Sequence, residues 1–334
     1  MKTPLAPFLL LITAIGHPAL RAADAAGVPL IKAESTPPAT PKVTIVVRGE
    51  KRIIEANGIP DHKVGTYPNR GNPNRIAEQR YHFEIPVHPQ PASKASPSRP
   101  GALWGVALNG VVFDPGTAEV YNDGERSNPW KYEALLSNTL QGTTPKIRTG
   151  LGIDENHAHV QPTGAYHYHG LPTLLIAQLS GGEKKMAHVG WAADGYPVYA
   201  VYGYAQAEDA SSPIKTLSSS YRLKTQPRPG DGKTAPTGQP TGAFGLDFEY
   251  VEGLGDLDEF GGRHGVTPEF PKGTYYYVLT EDYPFVPRKF KGTPDPSFST
   301  KGGPGNNSNG RGPQGAPTGR PGPGGPPPGG PPPR

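Results

Sequence analysis

The segment DENHAHVQPTGAYHYHGLP, residues 154–172, holds four of the ten histidines of the chain within thirteen positions. His157 and His159 form one H-x-H pair, and His167 and His169 form a second pair that alternates with two tyrosines. On a β-strand, residues i and i+2 point to the same face about 6.6 Å apart. Each pair therefore aims two imidazoles in one direction if its segment is a strand.

The turn sequence VQPTG between the two pairs predicts a hairpin-like unit that brings the four imidazoles together. Imidazole nitrogen binds zinc at about 2.0–2.1 Å and also suits copper. The histidine-free face of the second strand would pack its tyrosines into the core. The segment therefore predicts a site for a divalent transition metal, copper or zinc, on His157, His159, His167 and His169.

Other residues could complete such a site. His62 in a loop and His188 at the start of HVGWAADG are candidate additional ligands. Three carboxylates could orient a ring nitrogen of a ligand or could simply form turns: Asp154, Glu155 and Asp194. The remaining histidines of the central region are expected at the surface or in packing contacts: His82, His88 and His264.

The composition excludes several kinds of site. The chain has no cysteine, so disulfides, zinc fingers, iron–sulfur clusters and thiolate copper sites are ruled out. The net charge is only +4 and the basic residues are scattered, which does not indicate nucleic-acid binding. No P-loop, dinucleotide-binding fingerprint or nucleophile elbow is present in a suitable context.

The N-terminus has the layout of a secretory signal peptide: one lysine, a short apolar run and then small residues. We expect a signal peptide over residues 1–25, with cleavage after Ala22 or Ala25, and a secreted or periplasmic protein. The apolar run is too short to span a bilayer, and no other run approaches that length, so no membrane span is expected.

The chain contains 45 glycines and 43 prolines in 334 residues, concentrated towards the two ends. A linker is expected over 26–41, one domain over 42–291 and a disordered Gly/Pro-rich tail over 292–334. Short alternating segments predict a mostly β domain, either a β-sandwich or a distorted barrel with long loops. They include a hairpin around Arg48–Lys51 and a turn at Asp194–Gly195, whereas NPWKYEALL, residues 128–136, predicts a short helix.

Several motifs together resemble the YHYH-domain proteins, which are named for the tetrapeptide at 166–169. The resemblance is carried by NGIPDH, GVALNGVVFDPGTAE, LGIDENHAHVQPTGAYHYHGLP, HVGWAADGYPVYAVYGY and LDEFGGRHG, spanning about 42–285. It implies an exported bacterial protein but no established activity. Relatives carry a cysteine near the LDE segment and a second histidine-rich strand, where this chain has Phe260 and YYYV. The resemblance therefore implies no role for that second segment here.

Two other functions stay open. A metal-dependent enzyme, a hydrolase or an oxidoreductase, would use the same histidines with an open coordination position and a nearby carboxylate as base. A metal-free module would instead bind a glycan or a protein partner through tyrosines, which are Tyr196, Tyr199, Tyr202 and Tyr204.

Overall fold

The protein is described by a computed structural model that covers residues 30–97, 102–125, 127–135 and 150–299. Short strands dominate it. In chain order they are β1 (Val43–Arg48), β2 (Lys51–Ala56), β3 (Tyr81–Pro86), β4 (Ser96–Pro97), β5 (Gly105–Ala107), β6 (Val112–Phe113), β7 (Ala158–Val160), β8 (Tyr166–Tyr168), β9 (Ala187–Ala192), β10 (Pro197–Ala200), β11 (Tyr202–Tyr204), β12 (Ile214–Thr216), β13 (Tyr221–Leu223), β14 (Phe248–Tyr250), β15 (Gly262–Gly265), β16 (Thr274–Leu279) and β17 (Lys289–Phe290). One α-helix, α1 (Thr173–Ser180), lies between β8 and β9.

The largest sheet has eight strands in the order β15-β16-β10-β9-β5-β6-β8-β7. The pairs β10/β16 and β6/β8 are parallel, and the other neighbours are antiparallel. Among the described residues this sheet is open, with β15 and β7 at its two edges. The prediction of a mostly β fold is confirmed, and the sheet does not close into a barrel.

A second sheet, β1-β2-β3, packs against the large one. Its first two strands form the predicted hairpin, with Arg48 opposite Lys51. The alternating pattern of β2 and β3 places Ile54, Phe83 and Ile85 in the core. By contrast, the outer strand β1 is exposed along most of its length.

The core between the sheets is rich in aromatic rings. Trp104 is fully buried and contacts the edges of Phe113 and Tyr277, with ring centroids 6.2 and 5.1 Å away. Strands β5 and β9 approach so closely that a Cβ at Gly190 would lie 2.4 Å from the Val106 carbonyl oxygen. Glycine is therefore required there, and the close approach fixes the centre of the large sheet.

The helix predicted from the sequence and the helix α1 of the structure lie in different segments. PTLLIAQLSG contains helix α1, which ends at Gly181 in the left-handed conformation. The helix predicted over 128–136 is wrong for residues 128–135, which the structure describes. Lys131 and Tyr132 form β-bridges to Val120 and Phe244. The rings of Trp130 and Tyr132 pack on Phe244, with centroids 5.6 and 4.6 Å from that ring. This aromatic packing outweighs the weak local preference for helix.

The ends of the described chain also contact the domain. In the stretch predicted as a linker, Ile31 and Ser35 form bridges to Asp154 and Val64. In the stretch predicted as a tail, Phe298 is buried and stacks on Phe83 with ring centroids 4.1 Å apart. The predicted signal peptide and residues 300–334 lie outside the described residues. No helix in the described part of the chain has the length and apolar character needed to cross a membrane.

Candidate metal centre

The two H-x-H pairs lie on neighbouring strands at one edge of the large sheet. Strands β7 and β8 are antiparallel, with His159 directly opposite His167. The turn between them is closed by a hydrogen bond from the Gly164 amide to the Gln161 carbonyl. The pairing continues past β8, because the His169 amide donates to the His157 carbonyl at 2.8 Å. The predicted hairpin is therefore present.

Three of the four imidazoles converge. The Nε2 atoms of His167 and His169 are 2.9 Å apart, and those of His169 and His159 are 3.1 Å apart. One ligand nitrogen from each ring lies within 4.8 Å of the others, and the structure brings these three together as a candidate metal group. Nitrogens that share a tetrahedral zinc ion would be separated by about 3.3 Å, given Zn–N near 2.0–2.1 Å. We call these three side chains the histidine triad.

Backbone carbonyls orient two rings of the histidine triad. Nδ1 of His159 lies 2.8 Å from the Leu151 carbonyl oxygen, and Nδ1 of His167 lies 3.2 Å from that of Ala165. A carbonyl can only accept, so each Nδ1 carries the proton and each Nε2 keeps its lone pair. The buried Nδ1 of His169 has no hydrogen-bond partner, although the Pro115 carbonyl is near enough to influence the ring.

Burial keeps the histidine triad neutral. Burial lowers the pKa of His167 to about 4. The pKa of His159 falls to about 3, and burial is again the main cause. The pKa of His169 lies well below its usual range, chiefly through burial and then through its two imidazole neighbours. His167 and His169 are 2% and 1% exposed, whereas His159, on the edge strand β7, is partly exposed.

His157 does not join the histidine triad. It precedes β7 and has φ +50°, in the left-handed region that turns its side chain away from the direction set by the strand. Its Nδ1 lies 3.1 Å from the Leu171 carbonyl oxygen. The spacing between His157 and His159 therefore resembles that of a strand, but the backbone between them does not continue as one.

His62 lies on the opposite face of β8 from the histidine triad. Its Nδ1 faces the Lys63 carbonyl at 2.7 Å, and its Nε2 accepts from the Tyr168 hydroxyl at 2.6 Å. Tyr168 in turn accepts from the Asn109 amide at 3.0 Å. Both ring nitrogens of His62 are thus used in contacts that hold a loop against the tyrosine face of β8.

His188 is placed elsewhere in the sheet, on β9. Its ring meets Trp191 edge to face with centroids 4.6 Å apart. His188 contributes no nitrogen to the histidine triad. Two of the other histidines, His82 and His264, face carboxylates near the surface.

The three candidate carboxylates do not orient rings of the histidine triad. Asp154 is buried and accepts from the Tyr166 hydroxyl and the Gly65 amide, at 2.7 and 2.8 Å. Burial raises the pKa of Asp154 to about 6. Asp194, in the predicted turn after β9, accepts from the Tyr277 hydroxyl at 2.6 Å, while Glu155 accepts from the backbone of residue 33.

The structure adds polar neighbours that the sequence did not indicate. Asp114 follows β6, whose parallel register with β8 carries it beside His169, and its amide donates to the Tyr168 carbonyl at 3.0 Å. Its carboxylate accepts from the Gln161 side chain at 2.9 Å. In the sequence Asp114 belongs to a D-P-G turn, so only the strand pairing could reveal its position.

The tyrosines proposed as a binding surface are mostly enclosed. Tyr196 and Tyr199 are 4% and 0% exposed, whereas Tyr202 and Tyr204 are half-buried at the side of β11. Two clefts, of about 650 and 930 Å³, lie away from the histidine triad; the smaller includes Tyr196 and the larger is lined partly by α1.

Comparison with known proteins gives the family. A family model described as YHYH protein matches residues 82–292, which run from within β3 to the end of β17 and include the whole histidine triad. The chain belongs to the YHYH family. The Tyr-His-Tyr-His stretch of this YHYH protein alternates as its strand requires, with Tyr166 and Tyr168 in the core and His167 in the triad. No curated protein and no solved structure matches the chain.

Proposed function

We propose that this YHYH protein binds a transition metal ion, zinc or copper, through Nε2 of His159, His167 and His169. The observation that carries the proposal is the approach of these nitrogens to 2.9 and 3.1 Å in a buried setting. With its proton on Nε2, His169 could donate to only one of its two neighbours, and the other contact would hold two nitrogens together without a hydrogen between them. With its proton on Nδ1, both contacts would join two lone pairs, which repel each other. A cation at the centre of the three nitrogens removes that repulsion.

The carbonyl partners support the same conclusion. Metal-bound histidines usually donate the other ring N–H to a carboxylate, a carbonyl or water, which fixes the tautomer. His159 and His167 have this arrangement through Leu151 and Ala165. The rings are therefore already oriented and deprotonated at Nε2, so a metal needs no displacement of a proton near neutral pH.

The donor set limits the choice of metal. Three imidazoles without a thiolate favour zinc or copper over calcium and magnesium, which prefer oxygen. Three protein ligands are typical of sites that keep a position for water or another ligand. We therefore include Zn²⁺ and Cu²⁺ as the ions to be tested.

Metal content of the native protein tests the proposal. The full chain should be produced without a polyhistidine tag and purified without chelator. It should then contain about one zinc or copper ion per chain by elemental analysis. The double variant H167Q/H169Q should contain less than a tenth of that, while H264Q, at an exposed histidine, and H157Q should keep it. Wild-type protein that carries and rebinds no metal would overturn the proposal and favour a metal-free binding module.

A metal-dependent hydrolase or oxidoreductase is the second candidate function. It is supported by the three-ligand geometry and by the carboxylate of Asp114 on the neighbouring strand. The zinc-loaded chain should then hydrolyse an activated ester, or the copper-loaded chain should oxidise ascorbate, faster than H167Q/H169Q with the same ion. Equal rates would leave metal binding without catalysis.

We further propose that the protein is exported, as secreted or periplasmic material. The support is the order of charge, apolar run and small residues at the N-terminus. Expression in a Gram-negative host followed by N-terminal sequencing should find a chain beginning after Ala22 or Ala25. An intact N-terminus in the cytoplasmic fraction would contradict this.

A further inference from the structure

Arg52 is a buried cation that lacks a carboxylate. It lies on β2 with its side chain on the core side, and it is 9% exposed. Its Nη1 is buried without a hydrogen-bond partner, and no ion pair involves it among the described residues. Burial lowers its pKa. Removing an unpaired charge from water is costly, so such a group calls for a counter-ion.

Two other partly buried arginines have the carboxylate partner that Arg52 lacks. Arg228 donates to Asp247 at 2.6 and 2.8 Å, and Arg288 donates to Glu133 at 2.7 Å. Each of these guanidinium groups has its carboxylate inside the protein. Arg52 is more buried than Arg288 yet has none.

A second buried atom without a hydrogen-bond partner lies in the same region, beside Trp191. The guanidinium carbon of Arg52 is 3.5 Å from the centre of the Trp191 ring, close enough for a cation–π contact. His188 meets that ring edge to face, and its buried Nε2 also lacks a hydrogen-bond partner. Burial is the main cause that lowers the pKa of His188, and Arg52 adds to the effect, so the two groups act on one region.

A carboxylate, Glu269, also acts on the His188 ring. Glu269 accepts from the Tyr199 hydroxyl at 2.7 Å and raises the pKa of His188, opposing the burial. Tyr199 stacks at a tilt on His188, with ring centroids 5.3 Å apart. Glu269 is therefore held by Tyr199, and among the described residues it forms no ion pair with Arg52.

From these contacts we infer an oxyanion-binding site formed by Arg52, Trp191 and His188. The ligand class is a small phosphate or carboxylate group, which a guanidinium recognises through paired N–H donors. His188 would add a hydrogen bond from Nε2 once it carries a proton. The site shares no residue with the histidine triad, so its test does not depend on metal binding.

Titration of the full chain with sodium phosphate, and separately with sodium acetate, tests the site. Trp191 supplies the signal, because an anion on Arg52 should change tryptophan fluorescence in a saturable way at constant ionic strength. R52M should weaken binding of the anion that gives this signal at least tenfold. R52K should bind it with an affinity between those of wild type and R52M, since lysine keeps the charge but not the planar donors. R222M, at an exposed arginine, should behave as wild type.

Stability gives a second, independent measurement. In buffer without oxyanions, R52M should melt no lower than wild type, because it removes an unpaired buried charge at similar volume. Addition of phosphate or acetate should then raise the melting temperature of wild type and leave that of R52M unchanged. A lack of saturable change with both anions, or an equal response in R52M, would show that the site holds internal water only and would overturn the inference.

Discussion

The Nε2 atoms of His167 and His169 lie 2.9 Å apart although the two residues are neighbours on one face of a single strand. Side chains two positions apart on a strand start about 6.6 Å from each other, so both rings must lean inward to meet. They do so with ring centroids 4.7 Å apart and planes at 65°. His159 comes from the opposite strand and closes the third side.

Chelation should destabilise the protein if the histidine triad holds a metal. An ion that binds only the folded state adds stability in proportion to its binding, about 4 kcal/mol when the free ion exceeds its Kd a thousandfold. Differential scanning calorimetry should therefore show a lower melting temperature after EDTA and recovery with Zn²⁺ or Cu²⁺. The H167Q/H169Q variant should not respond to either treatment; a response equal to wild type would place the ion elsewhere.

Loss of the Tyr166 hydroxyl should weaken the fold without affecting metal content. This hydroxyl donates to the buried Asp154 carboxylate at 2.7 Å, on the face of β8 opposite to the histidine triad. A buried acceptor that loses a partner costs about 1–3 kcal/mol. Urea unfolding of Y166F should show that loss, with Y202F, at a half-buried tyrosine, as the matched control. A loss of metal together with stability would contradict the separation of the two faces.

The Arg288–Glu133 pair should matter more than the exposed Arg222–Glu249 pair. Glu133 is 2% exposed, and burial raises its pKa while Arg288 opposes the rise. R288M leaves that carboxyl buried without its partner, which should cost about 3–5 kcal/mol. R222M breaks a pair whose side chains are 41% and 37% exposed and should cost less than about 1 kcal/mol. Similar unfolding midpoints for the two variants would refute the ranking.

His188 should make the metal-free protein less stable in acid. Burial lowers its pKa to about 4, against about 6.5 in the unfolded chain. Between these two values the unfolded state binds a proton that the folded state does not, so stability is present near pH 7 and is lost as the pH falls from about 6.5 to 4. At about 1.36 kcal/mol per pKa unit the loss of stability is at most about 3.4 kcal/mol.

Urea unfolding at pH 7 and pH 5, in the presence of EDTA, measures this contribution. The stability of H188Q should fall less between these two pH values than that of wild type. H264Q, which changes a histidine exposed beside Glu208, should follow wild type. Parallel pH dependence of H188Q and wild type would show that His188 titrates alike in both states.

The alternation of residue types along Tyr166–His169, which matches the two-residue repeat of a β-strand, explains what could be predicted of the site. The alternation in Tyr166–His169 correctly separates a core face, with the two tyrosines, from the face that carries His167 and His169, and VQPTG correctly predicts the reversal between strands. The same spacing fails at His157, because its left-handed backbone is set by the loop before β7 and leaves no periodic signal. A two-residue interval predicts a shared face only where both residues lie within the strand.

Other features of the site and the fold could not be predicted because they depend on contacts between distant parts of the chain. The place of Asp114 beside β8 follows from a parallel pairing between strands about fifty residues apart, which local sequence cannot show. The same is true of Arg52 and Trp191, which come from different sheets. In 128–135 the helix signal was local and weak, and contact with the distant Phe244 decided the extended conformation.

The parallel pairing of β10 with β16 has a consequence for how the chain acquires its structure. The end of the large sheet formed by β15 and β16 cannot be added until Thr274–Leu279 has been synthesised and has paired with Pro197–Ala200. To form contacts between such distant segments, the chain must first lose the conformational entropy of a long loop. Folding is slowed because this loss comes before the contacts contribute favourable energy. Because Thr274–Leu279 lies near the end of the domain, this part of the large sheet cannot form before most of the domain has been synthesised.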